Sequence, residues 1–301
     1  MHGQSHSLSQ VLPETMTAAT TRRYGGSEVI ALETMPIPHT ASGEVLVRIH
    51  ASTVTTGDWR IRGAAYPKGL SLVGRLATGI FRPRHVVPGV TFSGTVVAMG
   101  DGVKRFAVGE LVFGALNRGG HAEYIAVPEI AAIAAKPLSL THAQAAALPF
   151  GAATADHFLR HLGKVRTGER VLITGASGAV GHVGIQIARA LGAHVTALTS
   201  TENAAFVRGL GADEVIDYTR QEVTEAGAWF DLVFDTIGHL NFGRARGLLR
   251  RDGRYLTSDG GWREARQMLV PWRRCGHAVR FGVSEPDTAQ LEHLSELAEA
   301  G

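Results

Sequence analysis

One stretch limits the fold of this chain more than any other: Val171-Leu-Ile-Thr-Gly175-Ala-Ser-Gly178-Ala-Val-Gly181. A short apolar run ends in three glycines spaced by three. A helical pattern follows, with Val180, Gly184, Ile187 and Leu191 on one face and Gly192 placed to stop the helix. Chemistry accounts for the spacing. The chain must turn sharply out of a buried strand, and its backbone must come close to a diphosphate, where a Cβ would intrude. The next helix then offers free N–H groups and the positive end of its dipole. Strand, loop, capped helix and second strand together point to a dinucleotide-binding unit. Gly175, Ser177, Gly178, Ala179, Val180 and Gly181 are the expected phosphate contacts.

Other users of glycine loops fit less well. A P-loop needs Lys directly after its last glycine, and His182 stands there. A short-chain dehydrogenase would carry the loop near the N-terminus and pair it with Tyr-x-x-x-Lys, which is absent. A methyltransferase would not account for the β-rich stretch ahead of the loop.

Two textures meet near residue 140. From Thr17 to Ile133, short β-like runs such as Glu44–His50, Gly94–Met99 and Tyr124–Val127 are split by Gly and Pro. Val45, Val47 and Ile49 would share one sheet face. This half reads as a compact, mostly antiparallel barrel. Beyond Thr141, apolar strand candidates alternate with helices: Arg170–Thr174, His194–Thr199, Glu214–Tyr218, Leu232–Asp235, Arg254–Thr257 and Ala278–Val283. Such alternation implies crossover connections and a parallel sheet covered on both faces. The expected organisation is a tail over 1–15, a barrel domain over 16–140, a dinucleotide-binding domain over 141–285, and a helix over 286–301 returning to the barrel domain.

Composition excludes other classes. Hydrophobic residues make up 45% of the chain, enough for a core, and no apolar run reaches the roughly 20 residues that span a bilayer. The opening MHGQSHSLSQ lacks the apolar stretch of a secretory signal. One cysteine, Cys275, excludes an intramolecular disulfide framework and fits a reducing cytoplasm. Net charge is +3, and the basic residues are scattered, with small clusters at Arg82, Arg84 and His85 and at Arg273 and Arg274. Neither a nucleic-acid nor a membrane partner is expected.

Several motifs in order resemble the medium-chain dehydrogenase/reductase superfamily, in its zinc-free quinone oxidoreductase-like branch. They are Gly43–Arg48, Ala51–Trp59, Pro88–Gly94, Gly120-His-Ala-Glu-Tyr124, Ala145–Pro149, the glycine loop, Leu210–Tyr218 and Phe230–Gly238. The resemblance covers nearly all of the chain after Met16. It implies an α/β fold: a GroES-like barrel beside a Rossmann domain, a doubly wound parallel sheet, with the active site in the cleft between them. Zinc members place Cys and His-Glu ligands where this chain has Thr55-Thr56-Gly57-Asp58 and Gly89-Val90-Thr91. The four-cysteine structural lobe is absent too. Tetrahedral zinc needs Cys, His or carboxylate ligands at workable spacing, so no zinc is expected.

The resemblance also implies a cofactor and a reaction. The second Rossmann strand ends Thr199-Ser200-Thr201, without the carboxylate that would hold the 2′-hydroxyl of NADH. Ser200 and Tyr218 match residues that hold the 2′-phosphate of NADPH, although Glu202 stands where the family often has Lys or Arg. NADPH is the expected cofactor, with NADH as the alternative. Thr154 matches a threonine near the nicotinamide. Thr236 and Ile237 would approach the ribose, and Phe281 and Val283 would offer backbone groups to the carboxamide. Tyr66 matches a cleft tyrosine that would hydrogen-bond the substrate oxygen or relay a proton. Asp58 would orient a donor, and Thr55 stands where the family often has Asn. The implied activity is hydride transfer to a quinone or α,β-unsaturated carbonyl by a homodimer pairing strands around Ala278–Val283. A non-catalytic NADPH-binding sensor or scaffold, or a metal-free aldehyde or alcohol reductase, are the alternatives. The family normally continues past Gly301 with a further strand, helix and strand, so the C-terminal part is expected to be missing.

Overall fold

The computed structural model describes residues 12–67, 69–225, 227, 229–269 and 276–300. Arg273, Arg274, Cys275 and residues 1–11 of the expected tail lie outside the described residues. The chain runs β1 (Thr15–Thr21), β2 (Ile30–Pro36), β3 (Glu44–Ala51), α1 (Thr56–Gly63), α2 (Ser71–Thr78), β4 (Thr91–Met99), β5 (Leu111–Ala115), β6 (Tyr124–Pro128), β7 (Ala132–Ala135) and α3 (His142–Ala147). It continues through α4 (Ala153–Asp156), β8 (Arg170–Thr174), α5 (Gly181–Ala190), β9 (His194–Thr199), α6 (Ala204–Gly209) and β10 (Glu214–Asp217). It ends with β11 (Phe230–Asp235), α7 (Phe242–Ala245), β12 (Leu249–Thr257), α8 (Trp262–Leu269), β13 (Ala278–Phe281) and α9 (Thr288–Ala300). Two compact units result, one of residues 1–63, 81–146 and 295–301, the other of residues 64–80 and 147–294.

In the first unit, a curled antiparallel sheet in the order β6-β3-β4-β5-β7 is GroES-like. Its core gathers Val45, Val47, Phe92, Val96, Val112, Ile125, Val127 and Ile133, with Ile49 packed at its edge. These are the alternating residues of the strands, as the period of two requires. β1 and β2 form a separate hairpin. Within the expected tail, Leu12 packs beside Met16, Ile37 and Leu46, and Thr15 opens β1. The end of α9 belongs to this unit, where Ser295 Oγ donates to the Ala135 carbonyl at 3.3 Å.

In the second unit, six parallel strands lie in the order β10-β9-β8-β11-β12-β13. Two cores cover the sheet. Val171, Ile173, Leu232 and Phe234 face one, with Phe158 and Ile185 from the helices. Leu172, Val233 and Tyr255 face the other, with Phe242 of α7. The rings of Phe158 and Phe234 stack at 5.2 Å. Segment 64–80, which the sequence pattern assigns to the barrel domain, belongs to this unit, because Gly69 sits directly against Trp262. Gly192 ends α5 at φ +79°, its N–H bonding the Arg189 carbonyl while that of Ala193 reaches Ala188.

Candidate dinucleotide-binding site

The chain order of the parallel sheet reverses between β8 and β11, and ligands bind such sheets beyond the strand ends at that reversal. The glycine loop leaves β8 there. Gly175 has φ +59°, a left-handed conformation that glycine adopts without strain. A Cβ on it would lie 2.6 Å from Ile237 Cγ2, and one on Gly181 would lie 2.2 Å from the Gly175 carbonyl oxygen. Only hydrogen fits at either position. Gly178 N–H donates to the Gly175 carbonyl at 2.9 Å and closes the turn. Among the described residues, the N–H groups of Ser177, Ala179 and Val180 have no acceptor. They stand at the head of α5, where the helix dipole favours an anion. The loop thus offers an anion free N–H donors and room for a close approach.

The side chains around the loop are held in place by hydrogen bonds. Thr199 Oγ1, at the tip of β9, donates to Ser177 Oγ at 3.2 Å. Ser200 Oγ accepts from Asn203 Nδ2 at 3.1 Å, so its own proton is free to donate. Tyr218 is half exposed, and its N–H donates to the Thr199 carbonyl. Asp217 is bonded by the hydroxyls of Thr201 and Thr219, which hold its carboxyl below the usual carboxylate range. It stays charged near Ser200, with Arg220 Nε 3.6 Å from it as partial counterweight. Glu202 and Arg208 are both exposed.

At the end of β11, sequence reasoning passed over the residue that organises the site. Asp235 is fully buried and accepts from Thr174 Oγ1 at 2.6 Å, from Leu240 N at 2.8 Å, from Tyr255 Oη at 3.0 Å and from His239 N at 3.1 Å. It ties β8, β11, β12 and the 236–240 turn together. Burial, and then the Asp235 charge, push the Tyr255 phenol far above its ordinary range, so it remains a donor. The available signal was a carboxylate closing an apolar strand. Thr236 Oγ1 donates to the Thr174 carbonyl at 2.7 Å, and Ile237 is 54% exposed at the mouth of the loop. Thr154 lies in α4, where Ser284 and Gln290 both donate to the Ala153 carbonyl. Phe281 ends β13, and Val283 follows it, exposed.

The three expected catalytic side chains are engaged locally. Thr55 and Asp58 cap α1 reciprocally: Asp58 Oδ2 accepts from Thr55 N at 2.8 Å and from Thr55 Oγ1 at 2.7 Å, while Asp58 N donates to Thr55 Oγ1 at 3.2 Å. Asp58 is buried, and its Oδ1 has no hydrogen-bond partner among the described residues. Tyr66 Oη bonds Thr78 Oγ1, which itself reaches the Gly74 carbonyl at 3.0 Å. Among the described residues no group of three or more His, Cys, Asp or Glu is placed to hold a metal.

Residues 41–137 match the family model for the alcohol dehydrogenase GroES-like domain, and residues 179–274 match that of the zinc-binding dehydrogenases. The zebrafish (Danio rerio) mitochondrial NAD(P)H oxidoreductase RTN4IP1 is 31% identical across 100% of this chain and 86% of its own length. The chain belongs to the medium-chain dehydrogenase/reductase superfamily, in its quinone oxidoreductase-like branch. The spinach (Spinacia oleracea) chloroplastic quinone-oxidoreductase homolog is 36% identical over 206 residues, 66% of this chain and 59% of that protein. The chain thus spans little more than half the length of some superfamily relatives. A quinone oxidoreductase structure from Coxiella burnetii superimposes with a TM-score of 0.83 at 25% identity, covering 95% of this chain and 88% of that one. Among the described residues, no helix is long and apolar enough to cross a membrane.

Proposed function

We propose that this chain is a zinc-independent reductase that moves hydride from NADPH to a quinone or an α,β-unsaturated carbonyl. One observation carries the reading: three unoccupied main-chain donors and two glycines without room for a Cβ, at the chain reversal of a parallel sheet. That cradle suits the diphosphate of a nicotinamide dinucleotide. The bound cofactor supplies the hydride. The chain's part is to grip, orient and exclude water.

Ser177, Ala179 and Val180 hold the diphosphate through their N–H groups, with Gly175, Gly178 and Gly181 allowing the approach. Ser200 donates its free proton to the 2′-phosphate, and Tyr218 borders the same pocket. Thr236 and Ile237 face the nicotinamide ribose, Thr154 the ring, and the backbones of Phe281 and Val283 the carboxamide. Tyr66 would exchange Thr78 for the substrate oxygen and stabilise the anion formed there. Thr55 and Asp58 act as positioning residues through their mutual cap. Residues 55–58 and 89–91 offer one carboxylate, Asp58, and no Cys or His, which is too few donors for tetrahedral zinc. The edge strand β13 is free to pair with a second copy in a homodimer. The single cysteine suits a reducing compartment such as the cytoplasm.

The test is incubation of the pure protein with NADPH or NADH and a panel of quinones, enones and aldehydes, following absorbance of the reduced cofactor. Oxidation of NADPH by quinones or enones is expected. Tight binding without turnover would make the protein a sensor or scaffold, and turnover confined to aldehydes would make it a metal-free carbonyl reductase.

A further inference from the structure

α2 packs with the side that a water-facing helix would normally expose. Gly74 and Thr78 are turned inward: a Cβ on Gly74 would lie 2.4 Å from the Tyr66 ring, and Thr78 bonds the Tyr66 hydroxyl. Its apolar residues are turned outward. Leu72 is 73% exposed, Val73 62% and Leu76 53%, and Ile80 just beyond the helix is 51% exposed. Ordinary amphipathic helices do the reverse. The same region meets α8, where a Cβ on Gly69 would fall 2.6 Å from Trp262 Cβ. α8 has similar chemistry. Trp262, Met268, Arg263 and Arg266 are exposed, while the one acid of that helix, Glu264, turns back to accept from Gly261 N–H at 2.9 Å.

Charge identifies the occupant. α2 and α8 together carry Arg75, Arg263 and Arg266 against a single acid, Glu264, so the face is net positive. A second copy meeting this face would bring the same excess of positive charge, and like charges disfavour that contact. An anionic lipid surface offers both complements at once: negative headgroups for the arginines and acyl chains for Leu, Val and Ile, with Trp at the level between them. The expectation of no membrane partner followed from span length, which bears on crossing a bilayer and not on lying against one.

We propose that α2 and α8 form a docking surface for an anionic lipid bilayer. It is independent of the hydride chemistry above, since its readout is partition and not turnover. The full chain is sedimented with vesicles of phosphatidylcholine alone and of phosphatidylcholine with about one third phosphatidylglycerol. Partition about tenfold stronger onto the anionic vesicles is expected, weakening as salt is raised. Replacing Leu72→Gln and Leu76→Gln together should lower it about tenfold. Both side chains are exposed, so the urea midpoint should hold and report that the variant is folded. Replacing Arg263→Glu and Arg266→Glu should abolish the preference for anionic lipid. Absence of partition, equal partition onto both vesicles, or full partition by the leucine variant would overturn the proposal. So would ultracentrifugation showing a dimer that the leucine variant turns into a monomer, because the face would then belong to a second copy.

Discussion

Replacing Gly181→Ala tests the phosphate cradle directly. The added Cβ would lie 2.2 Å from the Gly175 carbonyl oxygen and 2.7 Å from Ala176 Cα. Carbon pairs prefer about 3.5–4.0 Å, so the overlap is on the order of 1 Å. Both neighbours are backbone of the loop itself, and relief therefore means moving the loop by a comparable distance. Overpacking of this kind costs about 1–3 kcal/mol of stability. The same shift takes N–H groups out of reach of the diphosphate. Losing two hydrogen bonds to a charged ligand, at about 1.5–3 kcal/mol each, weakens NADPH binding by roughly 10²–10⁴-fold. Titration calorimetry on folded protein measures the loss, and urea unfolding measures the stability change separately. Gly184→Ala is the control on the same helix. Its Cβ would meet Ile173 Cδ1 at 3.5 Å, an ordinary contact, so affinity should hold and stability should not fall. If folded Gly181→Ala protein bound NADPH within about threefold of the unmodified chain, the loop amides would not be the grip.

Asp235→Asn replaces an acceptor oxygen with a donor among groups that all donate, and should cost about 2–4 kcal/mol in urea unfolding; an unchanged midpoint would mean the strand ends are held otherwise. Tyr66→Phe should lower kcat about tenfold with NADPH affinity unchanged, read by steady-state kinetics on a quinone; equal kcat would leave the tyrosine a packing residue for Gly74 and Thr78. Ser200→Asp should weaken NADPH about tenfold or more while sparing NADH, read by calorimetry with both cofactors. His50, His142 and His157 are held below their ordinary value of 6.5, each chiefly by burial and next by a neighbouring cation: Arg48, His50 and His161 respectively. The unfolded chain then binds more protons than the folded one as pH drops. Stability is complete above about pH 6.5 and declines as pH falls toward the folded values. The urea midpoint should drop between about pH 7 and pH 5, and His50→Asn with His142→Asn should flatten that slope.

Much of the fold could be read before any coordinate was known. The strands His194–Thr199 and Arg170–Thr174 stand as expected, because a strand buried on both faces is an unbroken apolar run bounded by loops. Boundaries slipped where pairing, not pattern, ends a strand. β11 starts at Phe230 and not Leu232, since Phe230 already pairs with Leu249 of β12. β13 stops at Phe281 for want of a further partner on β12 beyond Thr257. The pattern also hid the inverted face of α2, because periodicity reveals an apolar stripe and not which side of it is covered.

The glycine loop is the part that sequence alone determined, since the positive φ of Gly175 and the packing of Gly181 on the Gly175 carbonyl are reasons local to the loop, to which Ile237 only adds. Asp235 is the part that only the tertiary structure decided. Its meaning depends on donors from Thr174, His239, Leu240 and Tyr255, which the chain brings together from separate strands and a turn. A short spacing can announce a backbone shape, but a buried charge is justified only by what surrounds it, and that becomes known when the sheet closes.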